Sequence, residues 1–110
     1  DCMEKESLKD LQVMVENFTK KYNLGLDSGL RYVDLVSEMG ELGKEILKGN
    51  DYGTKEFVKT DNLDIEFGDT LFSFMCLANS LDINLQDSLF LVLDKYTKRF
   101  ESKGDIGSGN

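Results

Sequence analysis

Leu8, Leu11, Met14 or Val15, Phe18 and Tyr22 recur every three or four residues near the start of the chain, with charged side chains filling the gaps. That spacing predicts one amphipathic helix from about Glu4 to Tyr22. Asn23 to Gly29 (NLGLDSG) supplies two glycines and several capping side chains, and should stop it. A second helix is predicted from about Leu30 to Lys48, on the stripe Leu30, Val33, Val36, Met39, Leu42 and Ile46, ending at Gly49-Asn50. Gly49 to Thr60 reads as a loop with one helical turn at Lys55 to Lys59. The third helix, about Asn62 to Leu81, takes Asp61 as its N-cap and Asp64 at the third helical position. After Asp69 it is apolar on nearly every side, so it should be the most buried element. Asp82 to Asn84 then turns the chain into a fourth helix, capped by Asn84 and carrying Leu89, Val92, Leu93, Tyr96 and Phe100.

No segment alternates with period two for long, and no two-residue hairpin joins β-branched runs. The fold class is therefore all-α, a four-helix bundle-like domain over residues 1–101 followed by a flexible glycine-rich tail, 102–110. One short chain cannot cover the apolar third helix well, so the helices are expected to be shared in a homodimer or homotetramer. Gly104, Gly107 and Gly109 in the tail, with Lys103 at its start, suit either a segment that closes over phosphates or a frayed terminus with no role.

Composition narrows the chemistry. The chain has 110 residues, no proline, and 21 acids against 13 bases, a net charge of -8. Such a surface repels nucleic-acid backbones, while a small phosphorylated ligand can still bind if divalent cations screen the acids. There is no histidine, which removes Ser-His-Asp triads and ordinary zinc sites together. Cys2 and Cys76 do not form a disulfide framework; Cys76 lies in an apolar run and is expected to be a buried thiol. The N-terminus is charged with no apolar stretch after it, and Ile65 to Leu81 contains Glu66 and Asp69 and is no membrane span. A cytoplasmic protein without a membrane partner is expected.

Four acids stand in the most hydrophobic segments. Glu38 and Glu41 lie in VSEMGELGK, and Glu66 and Asp69 in IEFGDTL. Residues three apart on a helix differ by about 60° in azimuth, so each pair projects from one face. If the second and third helices pack antiparallel, the pairs converge. Crowded carboxylates without a cation would be driven to protonate, whereas an all-oxygen set suits a hard cation such as Mg²⁺ or Mn²⁺. Gly40, Gly43 and Gly68 sit beside these acids. Each costs a helix interior about 1 kcal/mol relative to alanine, a cost offset by close helix approach or by space for a ligand.

The paired motif, with LVSEMGELGKEI followed by IEFGDTLFSFMCLANSLDINLQDSL, resembles the all-α nucleoside triphosphate pyrophosphohydrolases of the MazG-like family from about Leu30 to Phe100. Their signature, E-x-x-E then E-x-x-D, falls here on Glu38, Glu41, Glu66 and Asp69. The resemblance implies Mg²⁺-dependent hydrolysis of a nucleoside triphosphate to the monophosphate and pyrophosphate, in an oligomer. Those four acids would be the metal ligands, and Glu38 or Glu41 would accept the proton of the attacking water. Two departures stand out: Ser37 occupies a position where many relatives have another glutamate, and Arg99 one where some have asparagine.

A triphosphate also needs cations. Lys95 and Arg99 share a helical face in DKYTKRF and are the first candidates to grip phosphate oxygens, with Lys44 a further one. Asn79, inside an apolar helix, is either a base-reading amide or a satisfied core amide. Phe67, Phe72, Phe74 and Phe90 are expected in the core, and Glu45 and Asp34, one turn beyond the E-x-x-E pair on either side, are either acids that support the site from behind or, by default, exposed acids. The rivals are a phosphoribosyl-ATP pyrophosphohydrolase of the same helical architecture and a non-enzymatic helical interaction module. A di-iron bundle lacks its E-x-x-H motif here.

Overall fold

A computed structural model describes residues 6–103. They form α1 (Leu8–Lys21), α2 (Ser28–Gly49), α3 (Leu63–Ser80) and α4 (Leu85–Lys103), with no strand among the described residues. The Gly-rich tail from Gly104 onward, and the expected start of α1 at Glu4, lie outside the described residues.

Local chemistry fixes most helix ends. Ser7 accepts a hydrogen bond from the Asp10 backbone N–H, and Asp10 accepts one from that of Ser7, a reciprocal capping box. Asp27 caps α2 by accepting from the Leu30 N–H at 3.0 Å, and Asn84 caps α4 by accepting from the Asp87 N–H at 3.1 Å. The turn before α4 places Asp82 in the left-handed region, φ 56°, where short polar side chains are tolerated. The start of α3 departs from expectation. Its N-cap is Asn62, not Asp61, and Asn62 has helical rather than extended backbone angles and makes no cap bond.

The helical turn expected at Lys55 to Lys59 is also absent. Residues 50–54 form turns, and 56–60 run back along the end of α2 without regular structure. The Val58 N–H donates to the Gly49 carbonyl at 2.8 Å, and the Phe57 ring lies over Gly49. A methyl group at Gly49 would overlap that ring and stand 3.0 Å from the Val58 carbonyl oxygen. Gly49→Ala is therefore expected to destabilise the fold by about 1–3 kcal/mol, despite the better helix propensity of alanine. A urea midpoint equal to or above that of the wild type would contradict this.

The most extensive packing is between α2 and α3; α1 packs on α3, and α4 on α1. Polar contacts mark an antiparallel register between α2 and the segment that follows it: Glu45 with Thr60, Glu38 with Thr70, Asp34 with Ser73. Leu35 of α2 and Leu63, Met75, Cys76 and Ala78 of α3 are the buried apolar residues among those described. As expected, α3 is the most buried element and Cys76 a buried free thiol. At the other end, Gln12 and Asn79 interlock. The Gln12 amide donates to Asn79 Oδ1 and the Ile83 carbonyl, and accepts from the Leu85 N–H. The Asn79 amide in turn donates to the Gln12 carbonyl.

The aromatic expectation needs correction. Phe72 is half-buried and meets Phe18 edge-on at 5.8 Å, but Phe67, Phe74 and Phe90 are exposed. One chain has too few helices to cover them.

Candidate metal centre

The antiparallel register brings Glu38 of α2 to Glu66 and Asp69 of α3. One carboxylate oxygen each from Glu38, Glu66 and Asp69 can be chosen so that all three lie within 4.8 Å of one another. Glu38 and Glu66 are half-buried, and Asp69 is exposed. Glu41 is exposed and stands outside this tight group. It is one turn from Glu38 on the same face of α2, and its charge acts on Glu38.

The electrostatics record the crowding. Burial pushes the Glu38 carboxyl above the usual carboxylate range, and the negative charges of Asp69, Asp34, Glu66 and Glu41 push it further. For an acid whose folded pKa is raised, the folded state holds the extra proton, so stability falls as pH rises from about 4.5 through the raised value. Glu38→Gln removes that loss. It is expected to raise the melting temperature of the metal-free protein at neutral pH, and a variant that melts below the wild type in EDTA would contradict this.

Several residues that sequence reasoning did not single out support the site. Asn62 Nδ2 donates to Glu66 Oε1 at 3.1 Å, and Thr70 Oγ1 donates to the Glu66 carbonyl at 2.8 Å. Ser73 Oγ donates to Asp34 Oδ2 at 2.8 Å, tying α3 to α2 one turn beyond Glu38. Asp34 is thus half-buried, and Glu45, expected to be exposed, is only 6% exposed. Thr60 Oγ1 donates to Glu45 Oε2 at 2.5 Å. The one legible signal was the position of Asn62, a full turn before Glu66.

The glycines behave differently from one another. A Cβ built on Gly40, Gly43 or Gly68 meets nothing within 4 Å, so these residues leave open space and bring no helices together within the chain. Gly68 borders an apolar groove of about 420 Å³ between α1 and α3, lined also by Phe18, Leu71 and Phe72.

The remaining candidates lie elsewhere. Lys44 is exposed on α2. Lys95, over the Tyr96 ring at 5.2 Å, and the half-buried Arg99 belong to α4, which packs on α1. Asn79 is ten residues along α3 from Asp69, about 15 Å at helical rise, and its amide is committed to Gln12 at both ends.

An all-α domain with an oxygen-lined acidic site on its two most closely packed helices is the class this fold and site define. Residues 30–102 match the MazG nucleotide pyrophosphohydrolase domain, and the chain belongs to that family of enzymes. It is 35% identical over 101 residues to YpjD of Bacillus subtilis strain 168, covering 88% of this chain and 89% of that protein. The crystal structure of YpjD matches with a TM-score of 0.71 at 34% identity, over 86% of this chain and 96% of its own. A Bacillus-conserved MazG protein, described as a nucleotide pyrophosphohydrolase, matches with a TM-score of 0.70 at 30% identity, over 83% and 89%.

Proposed function

We propose that this chain hydrolyses a nucleoside or deoxynucleoside triphosphate to the monophosphate and pyrophosphate, with Mg²⁺ or Mn²⁺ as cofactor, in the cytoplasm. The observation that carries the proposal is the convergence of Glu38, Glu66 and Asp69 from two antiparallel helices. The donor set fits a hard divalent cation: it is all carboxylate oxygen, and the charges of Asp69, Asp34, Glu66 and Glu41 all act on Glu38. Glu38, Glu41, Glu66 and Asp69 are the proposed ligands. When bound, the ion supplies Lewis-acid chemistry, making water a better nucleophile and stabilising negative charge on the departing pyrophosphate.

The chain's own groups do the rest. Glu38 or Glu41 takes the proton from the attacking water. Lys95, Arg99 and Lys44 are the proposed partners of the phosphate oxygens. The apolar groove that begins at Gly68, next to Asp69, offers the nucleoside a surface out of water. Assembly into a homodimer or homotetramer is part of the proposal, and the exposed apolar residues of α3 and α4 support it.

The test is a panel of canonical and modified nucleoside triphosphates, with and without Mg²⁺, scored by pyrophosphate release, with phosphoribosyl-ATP as a separate arm. Turnover of at least one triphosphate that stops in EDTA is the expected result. Turnover of phosphoribosyl-ATP alone would move the substrate class, and no turnover of any compound would overturn the proposal.

A further inference from the structure

Glu45 is a carboxylate where the sequence offers no reason to bury one. It lies one turn beyond Glu41 on a charged helix, yet it is 6% exposed. Lys48 approaches it at 3.7 Å from the solvent side. Its closest partner is the hydroxyl of Thr60, at 2.5 Å, on the segment that leads into α3. A buried charge is a poor way to gain stability for its own sake, because desolvation opposes it. What this one does is fix where the chain enters α3.

Two further observations point the same way. The segment before α3 is already clasped to the last turn of α2 by Phe57 over Gly49 and by the Val58–Gly49 hydrogen bond. Thr60 on Glu45 is a second anchor, one turn back along α2, so the stretch from Phe57 to Thr60 is held at both ends. Asn62 then stands at the N-cap of α3, a position where asparagine normally satisfies a free backbone N–H. It makes no such bond and gives its amide to Glu66 Oε1 instead, at 3.1 Å. The Thr60 hydroxyl holds the Glu45 carboxyl below its usual range. Glu45 thus anchors Thr60, and two residues further along the chain Asn62 donates to Glu66, one of the three converging acids.

We propose that Glu45 is a positioning residue that acts through Thr60 and Asn62 to hold the Glu66 carboxylate in its metal-binding orientation. The proposal rests on Glu66 being a metal ligand. A glutamate on a half-open face has three freely rotating side-chain bonds, and an amide that holds one oxygen removes much of that freedom before the cation arrives. Partners of this kind change metal affinity by about 10–100-fold when removed.

The experiment is Mn²⁺ binding to the full chain without nucleotide, followed by electron paramagnetic resonance, alongside kcat and KM for the best triphosphate. Asn62→Ala and Thr60→Val are expected to weaken Mn²⁺ binding about tenfold. Thr60→Ser, which restores the hydroxyl, should recover the wild-type affinity. The double variant Glu45→Gln with Asn62→Ala should be no weaker than the worse single variant, because both act on one chain of contacts. Lys59→Ala breaks only the surface pair with Asp64 at 2.9 Å and should leave Mn²⁺ affinity unchanged. Asn62 is exposed, so its variant reports on the contact without risk to the fold. If Glu66→Gln abolishes Mn²⁺ binding while Asn62→Ala and Thr60→Val bind like the wild type, the positioning role is overturned and the metal site stands. If Glu66→Gln binds like the wild type, the metal site and the positioning role fall together.

Discussion

Asp69→Asn is expected to lower pyrophosphate release by about a thousandfold, about 4 kcal/mol of transition-state stabilisation, with helical content unchanged. The exchange keeps shape and removes one negative charge from a group of three carboxylates within 4.8 Å. Asp69 is exposed, so its loss leaves no cavity and no buried partner unsatisfied, and surface exchanges of this sort usually change stability by less than about 0.5 kcal/mol. Removing its charge also relieves Glu38, on which Asp69 is the strongest of the charge effects. Glu41→Gln is expected to have the same consequence for activity, since Glu41 is the fourth proposed ligand. Mg²⁺ should raise the melting temperature of the wild type, as any ligand confined to the folded state does, and the double variant should lose that shift. Activity within a few-fold of wild type in both single variants would remove the four-acid site from consideration.

Leu93→Glu is expected to turn an oligomer into a monomer. Leu89, Leu93 and Phe100 form one stripe along α4 and are 49%, 50% and 59% exposed in the single chain. On a monomer, a glutamate at a half-exposed site of this kind costs little. Across an interface it must be buried without a partner, which costs several kcal/mol per subunit, enough to dissociate a micromolar complex. Exposed Ile65, Phe67 and Phe74 on α3 add a second uncovered apolar surface. Sedimentation velocity at micromolar concentration separates the outcomes. A wild-type chain that sediments as a monomer, or a Leu93→Glu chain that stays assembled, would contradict the expectation.

The parts of the molecule that follow from local periodicity were legible in the sequence. The stripe from Leu30 to Ile46 gave α2, and the three-residue spacing of Glu38 with Glu41 and of Glu66 with Asp69 put each pair on one face. Asp27 and Asn84 capped as their residue types suggest, because a cap depends on three or four neighbouring residues. What remained hidden depends on partners far along the chain. Residues 55–59 have no helical turn because Phe57 and Val58 dock on Gly49, and nothing in the local composition announces that contact. Glu45 is buried because Thr60, fifteen residues later, supplies a hydroxyl. Asn62 took the cap position expected of Asp61, yet uses its amide on Glu66. The core expected around Phe67, Phe74 and Phe90 was read from hydrophobicity alone, which says that a surface is to be covered and not which chain covers it.

The proposed reaction is hydrolysis of a nucleoside triphosphate between its α and β phosphates, with a divalent cation held by the acids of α2 and α3. Phosphorus NMR of a triphosphate incubated with the protein and Mg²⁺, with a parallel sample in EDTA, tests it most directly. Monophosphate and pyrophosphate appearing in equal amounts, and only with Mg²⁺, is the predicted result. Diphosphate with orthophosphate, or products that form equally well in EDTA, would contradict it.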